Sequence, residues 1–275
     1  MQFLIGFEFE FGWEIDPKKY YQYDTFSQIK KELKKTFGKE WISNILHFTH
    51  DGSLSFPRNK GGHYGVELVT KPMKEDVAIS FCKDMLNWMK KHPRVTTNKT
   101  CSLHVNISFL DKKLNRKIDY YQVLCNTPQK DILRFFGREN NTYCTNSEDK
   151  KFALIIQNKE TPRHKVSYWM KSLPKLTYKT TLKKPYPNLY KKNPHKAISH
   201  TIKFSDENEF FELIKKSYIN RVSQSPKGLA IVEKEQKNNK YYEFRMIGNS
   251  DYESQYRYIK KCITIFKKSL KSALT

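Results

Sequence analysis

The chain has 275 residues, with Lys+Arg 51 against Asp+Glu 28 and a formal net charge of +23. Hydrophobic residues at 38% and aromatics at 14% are enough for a substantial core, which argues against wholesale disorder, and no apolar run reaches the ~18 to 20 residues of a bilayer span. The charge attracts polyanions such as nucleic acid, nucleotides or acidic membranes and equally describes a lysine-rich solvated surface, so it sets a range of partners and not a function.

In chain order, the opening MQFLIGFEFEFGW is apolar but interrupted by Glu8 and Glu10. No basic segment precedes it and no small-residue cleavage site follows, so no signal peptide is expected. Within it, IGFEFEF alternates and reads as a strand, with Phe7, Phe9 and Phe11 on one side and Glu8 and Glu10 on the other. Phe26, Ile29, Leu33 and Phe37 follow at helical spacing behind Asp24 as a cap. YGVELV is a second strand, with Glu67 opposite Val66 and Leu68. Val77, Phe81, Met85 and Trp88 mark the next helix. CSLHVNISF is a third strand, placing Cys101, Leu103, Val105, Ile107 and Phe109 against Ser102, His104, Asn106 and Ser108.

A helical stretch over about 118 to 137 is expected to kink or divide at Pro128. From about 161 to 199, Pro162, Pro174, Pro185, Pro187 and Pro194 alternate with lysines and tyrosines, which reads as an irregular insertion or lid. Its Tyr168, Trp169, Tyr178, Tyr186 and Tyr190 either stack on bases or pack onto the body. A short helix follows at Phe210, Leu213 and Ile214. YYEFRMI is the fourth strand, with Glu243 and Arg245 sharing a face against Tyr242, Phe244 and Met246. Tyr256, Ile259, Ile263, Phe266 and Leu270 give the last helix the cleanest periodicity. No repeat or Gly/Ser linker divides the chain, so one domain over 1–275 is expected. Five scattered cysteines without a C-x-x-C pair fit a reducing cytoplasm better than a disulfide framework or a zinc site.

Alternation in any one strand is what a sheet with one solvated face produces. The polar positions of these four strands, however, are Glu, His, Asn and Arg and not the lysines that dominate the chain. Same-face neighbours lie ~6.5 to 7 Å apart, so Glu8 and Glu10 can serve two adjacent cations. Carboxylates with one imidazole suit Mg²⁺ or Mn²⁺ better than zinc, and such ions commonly accompany a nucleotide's phosphates. Of the remaining histidines, His47, His50, His63, His164, His195 and His200 are expected in loops or core. Cys101 and Cys144 are expected as small apolar fillers.

Six segments in order, GFEFEF, DGSL at Asp51–Leu54, GVELVTKP at Gly65–Pro72, CSLHVNIS at Cys101–Ser108, GRENNTYC at Gly137–Cys144 and YYEFRMIG at Tyr241–Gly248, resemble the amidoligase family of the glutamine-synthetase-like carboxylate-amine ligases. The resemblance covers about 1–144 and 220–275. It implies an α+β fold: a strongly curved antiparallel sheet whose concave face holds ATP and two or three Mg²⁺ ions, with helices on the convex face. It also implies a reaction in which ATP phosphorylates a carboxylate and an amine displaces phosphate from the acyl phosphate. Carried over by position, Glu8, Glu10, Glu67, His104 and Glu243 are metal ligands. Arg245 contacts the transferring phosphate, and Asp51 is a ligand or accepts the amine's proton. Arg138 and Tyr143, from the R-x-x-N-x-Y-C pattern, contact substrate or phosphate. The family's H-V-H is here His104-Val105-Asn106, which leaves Asn106 as a hydrogen-bonding contact. Arg221, with Lys227 and Arg163, either adds a phosphate contact or is surface charge.

The leading expectation is therefore an ATP-dependent carboxylate-amine ligase whose partners are ATP, a carboxylate and an amine. The charge extends this to a polyanionic substrate, such as nucleic acid or an acidic protein. The alternatives are a phosphotransferase on the same fold, a nucleic-acid-binding or inhibitor protein without catalysis, and a metal-dependent nuclease. No membrane partner is expected.

Overall fold

The computed structural model describes residues 1–15, 22–56, 62–139, 141, 144, 152–157, 165–170, 230–236 and 239–274. Ten strands and six helices are described: β1 (Phe3–Glu14), α1 (Gln22–Ile42), β2 (Ile45–His50), β3 (His63–Thr70), β4 (Met73–Lys74), α2 (Glu75–Lys91), β5 (Val95–Thr96), β6 (Ser102–Phe109), α3 (Lys112–Asn115), α4 (Tyr120–Asn126), α5 (Gln129–Phe135), β7 (Phe152–Gln157), β8 (Lys165–Met170), β9 (Ile231–Gln236), β10 (Asn239–Gly248) and α6 (Tyr256–Ser272). A 3-10 turn, Tyr252–Ser254, precedes α6.

The architecture is mixed α+β, built on one strongly curled antiparallel sheet, a half-barrel in the order β2-β3-β1-β6-β10-β9. β1 is its axis. It pairs with β6 over Phe3–Phe9 and with β3 over Glu8–Glu14. The short strands β4 and β5 continue the pairing where those partners end. Two-sided pairing is why this strand runs to twelve residues, beyond the seven-residue alternation visible in its sequence.

Phe7, Phe9, Phe11, Leu68, Val105, Tyr242 and Phe244 are fully buried on the apolar side. Helices cover it: Phe81 of α2 lies 6.4 Å from Phe9 and stacks at 4.0 Å on Trp41 of α1, and Phe266 of α6 stacks at 4.2 Å on Phe244. Burying large apolar side chains at roughly 1.5–3 kcal/mol each makes this layer the main source of stability. α2 is favoured by Glu75 and Asp76 in its first turn and Lys90 and Lys91 in its last. It stops at His92, which adopts extended backbone before Pro93.

Several expectations change. α1 begins at Gln22, so Asp24 lies in its first turn and is not the cap. Val77 is 44% exposed; the buried stripe of α2 runs instead through Ala78, Phe81, Cys82, Met85, Leu86, Trp88 and Met89. A stripe drawn one residue off its centre includes an edge position that packing rejects. The stretch about 118 to 137 divides at Pro128 into α4 and α5, as its missing N–H requires. Part of the segment read as irregular is regular: β8 pairs with β7 from Phe152↔Met170 to Gln157↔Lys165 as a separate two-stranded sheet. The rest of 161–199 and the helix expected at Phe210, Leu213 and Ile214 lie outside the described residues. Among the described residues, no helix is long and apolar enough to cross a membrane.

Candidate metal centre on the polar face of the half-barrel

Strand register places the site. Glu8 is opposite His104 on one side of β1, and Glu10 is opposite Glu67 on the other. Glu243 on β10 faces Asn106 on β6. Four segments far apart in sequence thus bring four carboxylates and an imidazole to one patch. These residues line a cavity of about 620 Å³ together with Asp51, Arg138, Lys234 and Arg245.

The centre of this face is shielded from solvent. His104 and Glu10 are each 4% exposed and Glu243 is 2% exposed, so their charges must be satisfied by one another. His104 is the hub. Its Nδ1 lies 2.8 Å from Glu8 Oε2 and 3.1 Å from Glu243 Oε1, and its Nε2 lies 3.4 Å from Glu10 Oε1 and 2.8 Å from Ser102 Oγ. Ser102 donates to Glu10 Oε2 from both its backbone N–H, at 2.7 Å, and its hydroxyl, at 2.5 Å. Asn106 donates to Glu8 Oε1 at 2.8 Å. It therefore holds the Glu8 carboxylate in place. Arg245 Nε lies 3.5 Å from His104 Nε2 and 3.7 Å from Glu243 Oε1.

The mutual charges tune the groups. Burial pushes the His104 imidazole toward neutrality, but Glu10, Glu243 and Glu8 together outweigh it and raise its pKa to about 10. Burial likewise raises Glu8 and Glu243, yet hydrogen bonding and charge from His104 win, and both are held below the usual carboxylate range. Glu10 is shifted upward by burial, which His104 and Ser102 offset only in part. Glu67, pushed up by burial and then by Glu8, reaches about 8. Without an added cation the cluster thus keeps a proton on Glu67 and another on His104 near neutral pH.

Three of these groups could hold an ion between them. Ligand atoms of Glu8, Glu67 and His104 all lie within 4.8 Å of one another. Two carboxylates and one imidazole are a hard-leaning donor set suited to Mg²⁺ or Mn²⁺. Glu10 and Glu243 flank His104 outside that group. Arg138, 4% exposed, donates from one terminal nitrogen to the Cys101 carbonyl at 2.8 Å, while its Nε has no hydrogen-bond partner among the described residues. A buried guanidinium with an unused donor beside an acid-lined cavity fits an anionic group.

Two glycines make room for this arrangement. A Cβ on Gly65 would stand 2.9 Å from the Asp51 carbonyl, so its absence lets the DGSL turn lie across β3 and bring Asp51 to the cavity. A Cβ on Gly248 would stand 1.9 Å from a terminal nitrogen of Arg138. Beside it, a β-bulge between Phe244 and Ile247 changes the register opposite His104, at the level of Arg245.

Of the residues expected from sequence, Glu8, Glu10, Asp51, Glu67, His104, Arg138, Glu243 and Arg245 meet at this cavity, and Asn106 stands behind Glu8. Tyr143 and Arg221, with Lys227 and Arg163, lie outside the described residues. Cys101 and Cys144 are buried and unpaired; burial raises both thiols, Cys101 to about 12, which fits packing and not nucleophilic chemistry. Sequence reasoning missed Ser102 and Lys234 as site residues and placed His50, another cavity residue, in loop or core. Ser102 carried a signal, since it shares the polar phase of β6 with His104. No family model matches the chain and no curated protein matches it, so what the site does follows from its own side-chain chemistry.

Proposed function

We propose that the protein is an ATP-dependent carboxylate-amine ligase of the glutamine-synthetase-like type. It would join a carboxylate to an amine with release of ADP and phosphate. The observation that carries this reading is the convergence of Glu8, Glu67 and buried His104 in a cavity that also presents two guanidinium groups. The six ordered motifs agree with it, and the curled sheet has the shape that such a reading requires.

A divalent ion held by Glu8, Glu67 and His104, with Glu10 and Glu243 beside it, would offset the negative charge of a triphosphate. The chain's own residues have separable tasks. The planar forks of Arg245 and Arg138 suit phosphate or carboxylate oxygens and would hold the transferring phosphoryl group in line with the acceptor. Asp51, which lines the cavity, would take the proton that an amine loses as its nitrogen bonds to the acyl carbon. A cavity of about 620 Å³ lies within the ~300–1,000 Å³ of small-molecule sites.

The test is calorimetric titration of Mg-ATP into the wild type and Glu8→Gln, with circular dichroism confirming that both are folded. Binding that requires Mg²⁺ and weakens more than ~10-fold in the variant is the expected result. Absence of binding by the folded wild type would overturn the proposal. If ATP is consumed and a stable phosphorylated acceptor accumulates in the presence of amines, the phosphotransferase reading replaces it.

A further inference from the structure

The cavity contains a cation that neither the strand alternation nor the resemblance pointed to. Lys234 sits on β9, at the edge of the half-barrel, in fixed register opposite Tyr241 of β10. Its side chain is 39% exposed, yet its Nζ lies 2.5 Å from Oε2 of Glu243, whose side chain is 3% exposed. A rim lysine ordinarily extends its stem along the surface and keeps the ammonium in water. Here the ammonium is the end that meets the buried carboxylate.

The consequence concerns how many ions the cluster can take. Oε1 of Glu243 lies 3.1 Å from the imidazole of His104, and Oε2 belongs to Lys234. Both oxygens of Glu243 are therefore engaged, and Glu243 stands apart from the Glu8, Glu67 and His104 group whose ligand atoms converge within 4.8 Å.

We propose that Lys234 is a tethered monovalent cation occupying the position beside Glu243 that a divalent ion would otherwise fill. The site then takes its divalent ion at Glu8, Glu67 and His104, one ion fewer than its carboxylates would hold without the lysine. An ammonium has three donors and no acceptor, so with one on Glu243 it keeps two for an anionic oxygen in the cavity. Lys234 thereby holds positive charge beside Glu243 before any metal arrives. This inference rests on the metal-binding part of the proposed function.

The experiment counts bound Mn²⁺ on the metal-stripped protein from the electron paramagnetic resonance signal of the free ion, with MnCl₂ alone as the probe. Wild type, Lys234→Met, Lys234→Gln and Lys234→Arg are compared after circular dichroism. The Met and Gln variants remove the charge in two different shapes, so that a folding failure of one leaves the other to decide. Each is expected to bind one Mn²⁺ more per chain than the wild type, and the Arg variant the same number as the wild type. Equal or lower counts in the Met and Gln variants would overturn the role of Lys234 and leave the metal centre standing. A folded wild type that binds no Mn²⁺ would overturn the metal centre and this inference together.

Discussion

Replacing His104 by Gln tests whether the imidazole is the charge that holds the polar face together. The wild-type group lies among three carboxylates at 2.8, 3.1 and 3.4 Å, and its folded pKa stands at about 10 against an ordinary value of 6.5. A folded pKa raised above the unfolded one means more protons bound in the folded state. The stabilisation is therefore fully present below about pH 6.5 and is lost as pH rises through about 10. At 1.36 kcal/mol per pH unit the interval corresponds to ~5 kcal/mol. Lys234 and Arg245 relieve part of the carboxylate repulsion once the imidazole is gone, so ~3–5 kcal/mol is expected, the range for breaking a buried ion pair. The assay is urea unfolding of both proteins with chelator present, at steps from about pH 6.5 to 10.5. The stability gap should be largest at the lower end and shrink steadily toward the upper end. A gap below ~1 kcal/mol at the lower end, or one that widens with pH, would refute the assignment of His104 as a buried cation.

Three further outcomes follow from the same geometry. Because Glu67 has its pKa raised to about 8 and His104 to about 10, a divalent ion must displace their protons. Mg²⁺ affinity should rise as pH increases through about 8, with proton release seen as a buffer-dependent heat in calorimetry; the same heat in buffers of different ionisation enthalpy would contradict this. By the same sign, the metal-free protein loses the Glu67 contribution to stability as pH climbs from about 4.5 to 8, and Mg²⁺ restores it. Gly248→Ala places a methyl 1.9 Å from a terminal nitrogen of Arg138 and 2.5 Å from the Cys101 carbonyl. With backbone on one side and a buried guanidinium on the other, a loss of ~2–4 kcal/mol is expected in thermal or urea unfolding; a change below ~0.5 kcal/mol would mean that Arg138 moves aside freely.

The amino-acid sequence by itself determined four of the strands and their chemistry, and not β2, β4, β5, β7, β8 or β9. A period of two in FEFEF, VELV, LHVNI and YEFRM is a local property of side chains on a pleat, so Glu8, Glu10, Glu67, His104, Glu243 and Arg245 could be assigned to one kind of face before any pairing was known. Helical stripes were legible for the same reason, and their errors at Asp24 and Val77 are errors of phase and boundary, where tertiary packing and not periodicity decides. Pairing itself was not legible. Nothing in FEFEF states that Glu8 faces His104 on one neighbour while Glu10 faces Glu67 on the other, since register is fixed by the apolar layer and the loops. The face looked as though water might cover it; only the curl of the sheet turned it into a buried cavity and made its carboxylates depend on His104. Ser102 carries a hydroxyl like many surface serines, and Lys234 is one of many lysines. Their roles arise from closeness to Glu10 and Glu243, which are 92 and nine residues away along the chain. Side-chain type can be read from sequence, but the environment that gives a side chain its charge state exists only once distant segments have been brought together.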